Sequence, residues 1–176
     1  MRRARSFALV LLLGAVSCAT GSGPGEELVS ATIHGIVERV VDGDTAWVRL
    51  DDGTTEKVRF IGIDTPESTT EHEPFGKEAA AYTAGVLTVG KDVDLATDVE
   101  QRDRYGRLLA YVWLSPPANG GEDEARDKML NAMLVRDGWA TVLTVPPNVA
   151  YVDLFVALQL EARVAQRGLW VGTSLR

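Results

Sequence analysis

Between residues 45 and 63 the chain spells out a strand, a turn and a returning strand. Ala46, Val48 and Leu50 alternate with Thr45, Trp47 and Arg49, the period-two pattern of a strand buried on one face. Asp51-Asp52-Gly53 is a hairpin turn signal. Residues 57–63 then read as one strand that becomes more apolar toward its end, as expected where a sheet closes on itself and buries both faces. Upstream, Ile33, Val37 and Val41 mark an imperfect strand over 31–41. Further strands are expected around 93–97 and 108–114. These patterns are compatible with a small β structure with helices added.

Three helical stretches complete the pattern. Over 75–87, Ala79, Tyr82 and Val86 recur at helical spacing, and Gly90 ends the segment. Residues 128–137 read as a second helix, stopped by Gly138. Over 151–165, Tyr151, Leu154, Phe155, Leu158, Ala162 and Ala165 form an apolar stripe, with Gly168 as the stop and Leu169-Trp170 folding back. The flanks and stops of that last helix mark it as core, not as a membrane-active segment. Residues 115–127, with Pro116-Pro117, Gly120-Gly121 and an acidic run, read as a loop whose composition buries nothing. Periodicity by itself supports a mixed β-barrel with helices.

The N-terminus stands apart from this domain. Met1-Arg2-Arg3-Ala4-Arg5 is basic, residues 7–16 are apolar, and Ala15-Val16-Ser17-Cys18 follows. The run is too short to span a bilayer and has the flanks of a secretory signal. Residues 1–17 are therefore read as a signal peptide, 18–29 as a flexible tether and 30–171 as the folded domain. The position of Cys18, the only cysteine, resembles a bacterial lipoprotein signal, in which the cysteine carries lipid and becomes the mature N-terminus. The alternative is ordinary cleavage near Ser17, leaving an exposed thiol, a liability outside the cell. The expected location is a membrane, the outer one in a Gram-negative host, or the medium, with no transmembrane helix in the mature chain and a monomeric state. Without residues 1–17 the chain has 15 basic and 25 acidic residues, a balance of −10. That sign opposes tight non-specific binding of a polyanion and leaves local chemistry at a site untouched. One cysteine and two histidines, His34 and His72, exclude a disulfide framework and a zinc set.

The chemistry sits in three stretches: Val41-Asp42-Gly43-Asp44-Thr45, then the run from Arg59 through Asp64-Thr65-Pro66-Glu67, then Asp103-Arg104-Tyr105-Gly106-Arg107. Alone, Asp42-Gly43-Asp44 is a turn and Asp64-Thr65-Pro66 a strand exit. Arg59, however, lies inside an apolar strand, where a charge is costly without a partner, and Arg107 opens another. Strand-end carboxylates together with half-buried arginines suit a phosphate ester held against a divalent metal: oxygen ligands bind the metal and guanidinium forks grip phosphate oxygens.

In order and detail these stretches resemble the staphylococcal nuclease (thermonuclease) family, over about residues 31–170. The resemblance implies a five-stranded Greek-key barrel of OB type with three helices. It implies a calcium-dependent phosphodiesterase acting on DNA and RNA without sugar specificity, leaving 3′-phosphates. Asp44, Asp64 and the Thr65 carbonyl would bind calcium, Glu67 would act as general base or at least position the attacking water, and Arg59 and Arg107 would neutralise charge on the phosphoryl group. Arg104 and Tyr105 would contact the substrate nucleotide. The other reading is a non-catalytic OB module that binds nucleic acid or peptide.

Departures from the family surround the site. Leu143-Thr144-Val145-Pro146 stands where the family has two tyrosines, and residues 68–73, with Glu71 and Glu73, replace a lysine-rich loop. Base stacking on an aromatic ring is worth roughly 1–3 kcal/mol, so substrate binding is expected to weaken. His34 is read as a structural strand residue, and Trp47 as cover for apolar surface.

Overall fold

The structure, a computed structural model, describes residues 32–68 and 73–173. Five strands close into a barrel: β1 (Thr32–Asp42), β2 (Thr45–Leu50), β3 (Thr55–Phe60), β5 (Asp92–Ala96) and β6 (Leu108–Trp113), in the ring order β1-β2-β3-β6-β5. All neighbours pair antiparallel except β3 and β6, which run parallel. This is the expected OB topology. Closure removes the exposed strand edges that a small sheet would otherwise present. β1 is irregular where it pairs with β2, with register shifts between Val37 and Arg39 and between Val40 and Asp42. Such bulges bend a strand and turn its end, here into the turn that carries Asp44.

The third strand is not one piece. β3 stops at Phe60, the chain turns through Ile61 and Gly62, and Ile63–Asp64 forms β4, which leaves the barrel to pair with β7 (Thr141–Val142). Gly62 has φ 79°, and a Cβ there would lie 2.6 Å from the Phe155 ring. Buried Asn131 fixes the break, its Nδ2 donating to the Ile61 carbonyl while its Oδ1 accepts from Val112 N–H, both at 2.9 Å. Phe60, Ile61 and Ile63 are buried across the break, and the apolar run 60–63 does not belong to one strand.

Among the described residues there are four α-helices, one more than expected: α1 (Gly76–Val86), α2 (Glu122–Lys128), α3 (Leu130–Arg136) and α4 (Val152–Val164), with a 3₁₀ turn at Gly168–Trp170. The additional one, α2, lies in the stretch read as loop. Its first turn is acidic and its last turn basic, both favourable to the helix dipole. Glu124 accepts N–H groups from Ala118, Asn119 and Gly120 and pairs with Lys128, and Ala125 is fully buried. The helix expected over 128–137 is broken at Met129, whose extended backbone bridges to Trp113. The largest core side chains, among them Phe60, Trp113, Tyr151, Phe155 and Leu158, fill the space between the barrel and α4. The Tyr111 and Tyr151 rings meet edge-on at 4.7 Å. Leu154, Phe155, Leu158 and Ala162 of α4 are buried, so that helix is core as expected, and no helix among the described residues is long and apolar enough to cross a membrane.

Candidate active site

Three strand ends converge on one face of the barrel. The turn between β1 and β2 brings Asp42 and Asp44, the exit of β4 brings Asp64, Thr65 and Glu67, and β3 brings Arg59. Gly43 makes this convergence possible, because a Cβ there would fall 2.6 Å from Thr65 Oγ1. From behind, buried Thr83 of α1 donates its hydroxyl to the Gly43 carbonyl at 2.6 Å.

Arg59 is the hub. Its Nη1 donates to the carbonyls of Phe60 and Ile63, each at 2.9 Å. Its Nη2 lies 2.9 Å from Asp64 Oδ1 and 3.1 Å from Asp44 Oδ2. The side chain is 13% exposed, so these contacts compensate a charge largely withdrawn from water. Asp44 also accepts the Thr65 N–H and the Thr45 hydroxyl, both at 3.0 Å. Removal of Asp64 from water raises its pKa, Arg59 pulls the other way, and the negative charges of Asp44, Glu73 and Glu67 add to the rise.

Arg107 follows the Asp103–Gly106 turn. Its Nε donates to Asp103 Oδ2 at 2.6 Å, while Asp103 Oδ1 accepts the N–H groups of Tyr105 and Arg107. Burial works against ionisation of Asp103, but these donors outweigh it and hold its carboxyl below the usual range. The Arg104 guanidinium lies over the Tyr105 ring at 4.7 Å.

A crevice of about 200 Å³ gathers Arg59, Glu67, Arg107, Asp44, Asp64 and Thr65. Arg104 and Tyr105 line an adjoining cavity of about 460 Å³, which shares Arg59 and Arg107 with the crevice and is walled by Leu109, Leu143 and Val145. Cys18 and His72 lie outside the described residues. His34 is half-exposed on the barrel among Asp51, Asp92 and Asp94, away from the crevice, and Trp47 lies beneath the Arg39 guanidinium at 5.4 Å.

Two charged residues of the crevice escaped the sequence reading. Asp42 appeared there only as part of a turn. Its carboxylate accepts Gly43 N–H and the Ser68 hydroxyl at 2.8 Å, and burial and a hydrogen bond with Glu67 raise its pKa. The other is Lys57, whose signal was available: it lies two residues before Arg59 on the same strand and so on the same face.

The donor set fits a hard cation. Asp64 Oδ2 accepts no hydrogen bond among the described residues, and Thr65 Oγ1 is buried without a partner. Among the described residues no three carboxylate or imidazole groups form a metal cage. A cation here would therefore share Asp44 and Asp64 with Arg59 and complete its shell from solvent or substrate, as an open oxygen site does.

Residues 57–172 match the family model described as Staphylococcal nuclease homologue. The chain is 39% identical over 156 residues to the Thermonuclease of Staphylococcus intermedius, covering 85% of this chain and 84% of that protein. It is 38% identical over 137 residues to the Thermonuclease of Staphylococcus hyicus, covering 76% and 73%. It is 32% identical over 159 residues to Endonuclease YhcR of Bacillus subtilis, covering 84% of this chain and 12% of that protein. With this degree of likeness along most of its length, the chain belongs to the staphylococcal nuclease family.

Proposed function

We propose that this protein is a calcium-dependent, sugar-non-specific nuclease that hydrolyses phosphodiester bonds in DNA and RNA and leaves 3′-phosphates. The observation that carries this reading is the single crevice shared by Asp44, Asp64, Thr65, Glu67, Arg59 and Arg107. Asp44, Asp64 and the Thr65 carbonyl would hold the calcium, whose charge, when bound, favours build-up of negative charge on the phosphoryl oxygens. Glu67 takes a proton from the attacking water as its oxygen bonds to phosphorus in line with the departing 5′ oxygen. The P–O5′ bond breaks, the 5′ oxygen acquires a proton from solvent, and the phosphate stays on the 3′ side. Arg59 and Arg107 donate to the non-bridging oxygens as charge grows there, the role for which a fixed guanidinium fork is suited. Asp44, Asp64 and Asp103 hold the two forks before substrate arrives. Arg104 and Tyr105 bind the nucleotide in the larger cavity. Leu143 and Val145 give that cavity an apolar wall in place of hydroxyl-bearing rings.

Digestion of plasmid DNA and of RNA, with calcium and with a chelator, tests the reading. Cleavage in calcium alone, giving ends that a polymerase extends only after phosphatase treatment, supports it. Binding without cleavage in calcium would establish the non-catalytic OB module instead. Export and lipid attachment at Cys18 form part of the same proposal, supported by the basic, apolar and Cys18-containing order of residues 1–18. Full-length protein should fractionate with membranes, and Cys18→Ser should release it or block its processing. A mature N-terminus without lipid by mass spectrometry would refute it.

A further inference from the structure

Lys57 stands out among the cations of the crevice. Arg59 is tied to Asp44 and Asp64, and Arg107 to Asp103. Lys57 is half-buried and lines the same crevice as Asp42, Asp44, Asp64 and Glu67. Yet among the described residues it makes neither an ion pair nor a hydrogen bond. Its backbone is fixed opposite Trp47 in the β2–β3 ladder, and Arg59 sits opposite Thr45. The two side chains therefore leave one face of β3 in the same direction, from Cα atoms about 6.7 Å apart by strand geometry.

We propose that Lys57 is a substrate-binding residue that contacts a phosphate neighbouring the one gripped by Arg59 and Arg107, so that the site takes a single strand carrying at least two consecutive phosphates. The inference rests on the nuclease reading of the crevice. The spacing of the two strand positions resembles that of adjacent phosphates on an extended single strand. The residue types divide the work in a physically sensible way. A rigid fork suits the reacting phosphate, whose oxygens must be oriented, while a compact ammonium on a flexible stem suits a phosphate that only needs neutralising. A chain with an acidic balance of −7 has little long-range attraction for a polyanion, so one uncommitted cation in the crevice carries a large share of strand binding. A contact to a non-reacting phosphate is equally strong in the ground and transition states. It therefore acts on KM more than on kcat.

The test compares wild type, Lys57→Gln and Lys57→Arg on a single-stranded DNA octamer and on a dinucleotide with one phosphodiester. Lys57→Gln should raise KM on the octamer about three- to tenfold, the range of a charge-assisted surface contact. That rise should exceed the one on the dinucleotide at least threefold, and kcat should move less than KM. Lys57→Arg should restore most of the octamer affinity. Binding of the octamer in chelator, followed by fluorescence anisotropy against salt, gives a readout independent of turnover. For Lys57→Gln the log–log salt slope should flatten by about 0.7, the value for one lost single-strand phosphate contact. Equal salt slopes in wild type and Lys57→Gln would overturn the proposal whether or not the protein cleaves. A loss confined to kcat, or the same on both substrates, would also overturn it and make Lys57 a positioning group for the carboxylates. Absence of cleavage by wild type sinks the nuclease reading, while the salt slopes still decide the role of Lys57.

Discussion

Asp44 Oδ2 accepts the backbone N–H of Thr65 at 3.0 Å, across 21 positions of sequence. That bond joins the turn after β1 to the exit of β4, so the same carboxylate builds the crevice and would serve as a ligand within it. The two roles separate by substitution. Asp44→Asn can still present an oxygen to Thr65, whereas Asp44→Ala leaves a buried N–H without a partner at a cost of about 1–3 kcal/mol. In thermal melts, Asp44→Ala should be clearly the less stable of the two. Both should lose calcium-dependent stabilisation. Calcium-dependent shifts of wild-type size in Asp44→Asn would remove that carboxylate from the ligand set.

How far the sequence could be read depended on whether its signals were local. The barrel strands, the three carboxylates and the two arginines sit in short motifs, and the crevice assembles from them. The break at Gly62 was hidden because 60–63 is continuously apolar, and the residues that hold it, Asn131 and Phe155, lie far along the chain. A positive φ of 79° and an aromatic ring pressed on Cα leave no room for a side chain. Gly62→Ala should therefore cost roughly 1–3 kcal/mol in strain and overpacking, read by urea denaturation. A larger loss of activity than of stability would be expected, since β4 carries Asp64.

Helix α2 was missed for a related reason: composition marked 115–127 as unable to bury anything, and the helix is secured by side-chain contacts to the loop before it, which composition does not register. Glu124 is central to them. Its bond to Lys128 and its acceptance of the Ala118, Asn119 and Gly120 N–H groups lower its pKa to about 2. A carboxyl lowered on folding stabilises the native state above its unfolded value, and that contribution fades as pH falls through the folded one. The stability difference between wild type and Glu124→Gln should thus be largest near neutrality and shrink between about pH 5 and pH 2. Melting midpoints of both proteins across that range check it. A difference independent of pH would mean that Glu124 acts through hydrogen-bond geometry alone.

Glu67 and Arg59 occupy the same crevice but should fail differently when changed. Glu67→Gln keeps the size of the side chain and removes its basicity. Turnover should fall by about 10²–10⁴, the usual contribution of a general base, while calcium still raises the melting temperature. Arg59→Lys keeps the charge but gives up the planar fork that spans the Phe60 and Ile63 carbonyls, Asp44 and Asp64. A lysine cannot reach all four acceptors. The variant should therefore lose stability as well as rate, by about 1–3 kcal/mol from acceptors left unsatisfied. Melting curves must come first, so that rates are compared only between folded proteins. Single-turnover cleavage of a short DNA in saturating calcium then isolates the chemical step from binding and release. Near wild-type rates in folded Glu67→Gln would show that proton abstraction lies elsewhere. Near wild-type rates in folded Arg59→Lys would show that its charge alone serves the phosphoryl group, and that its fork exists to hold the turn between β3 and β4.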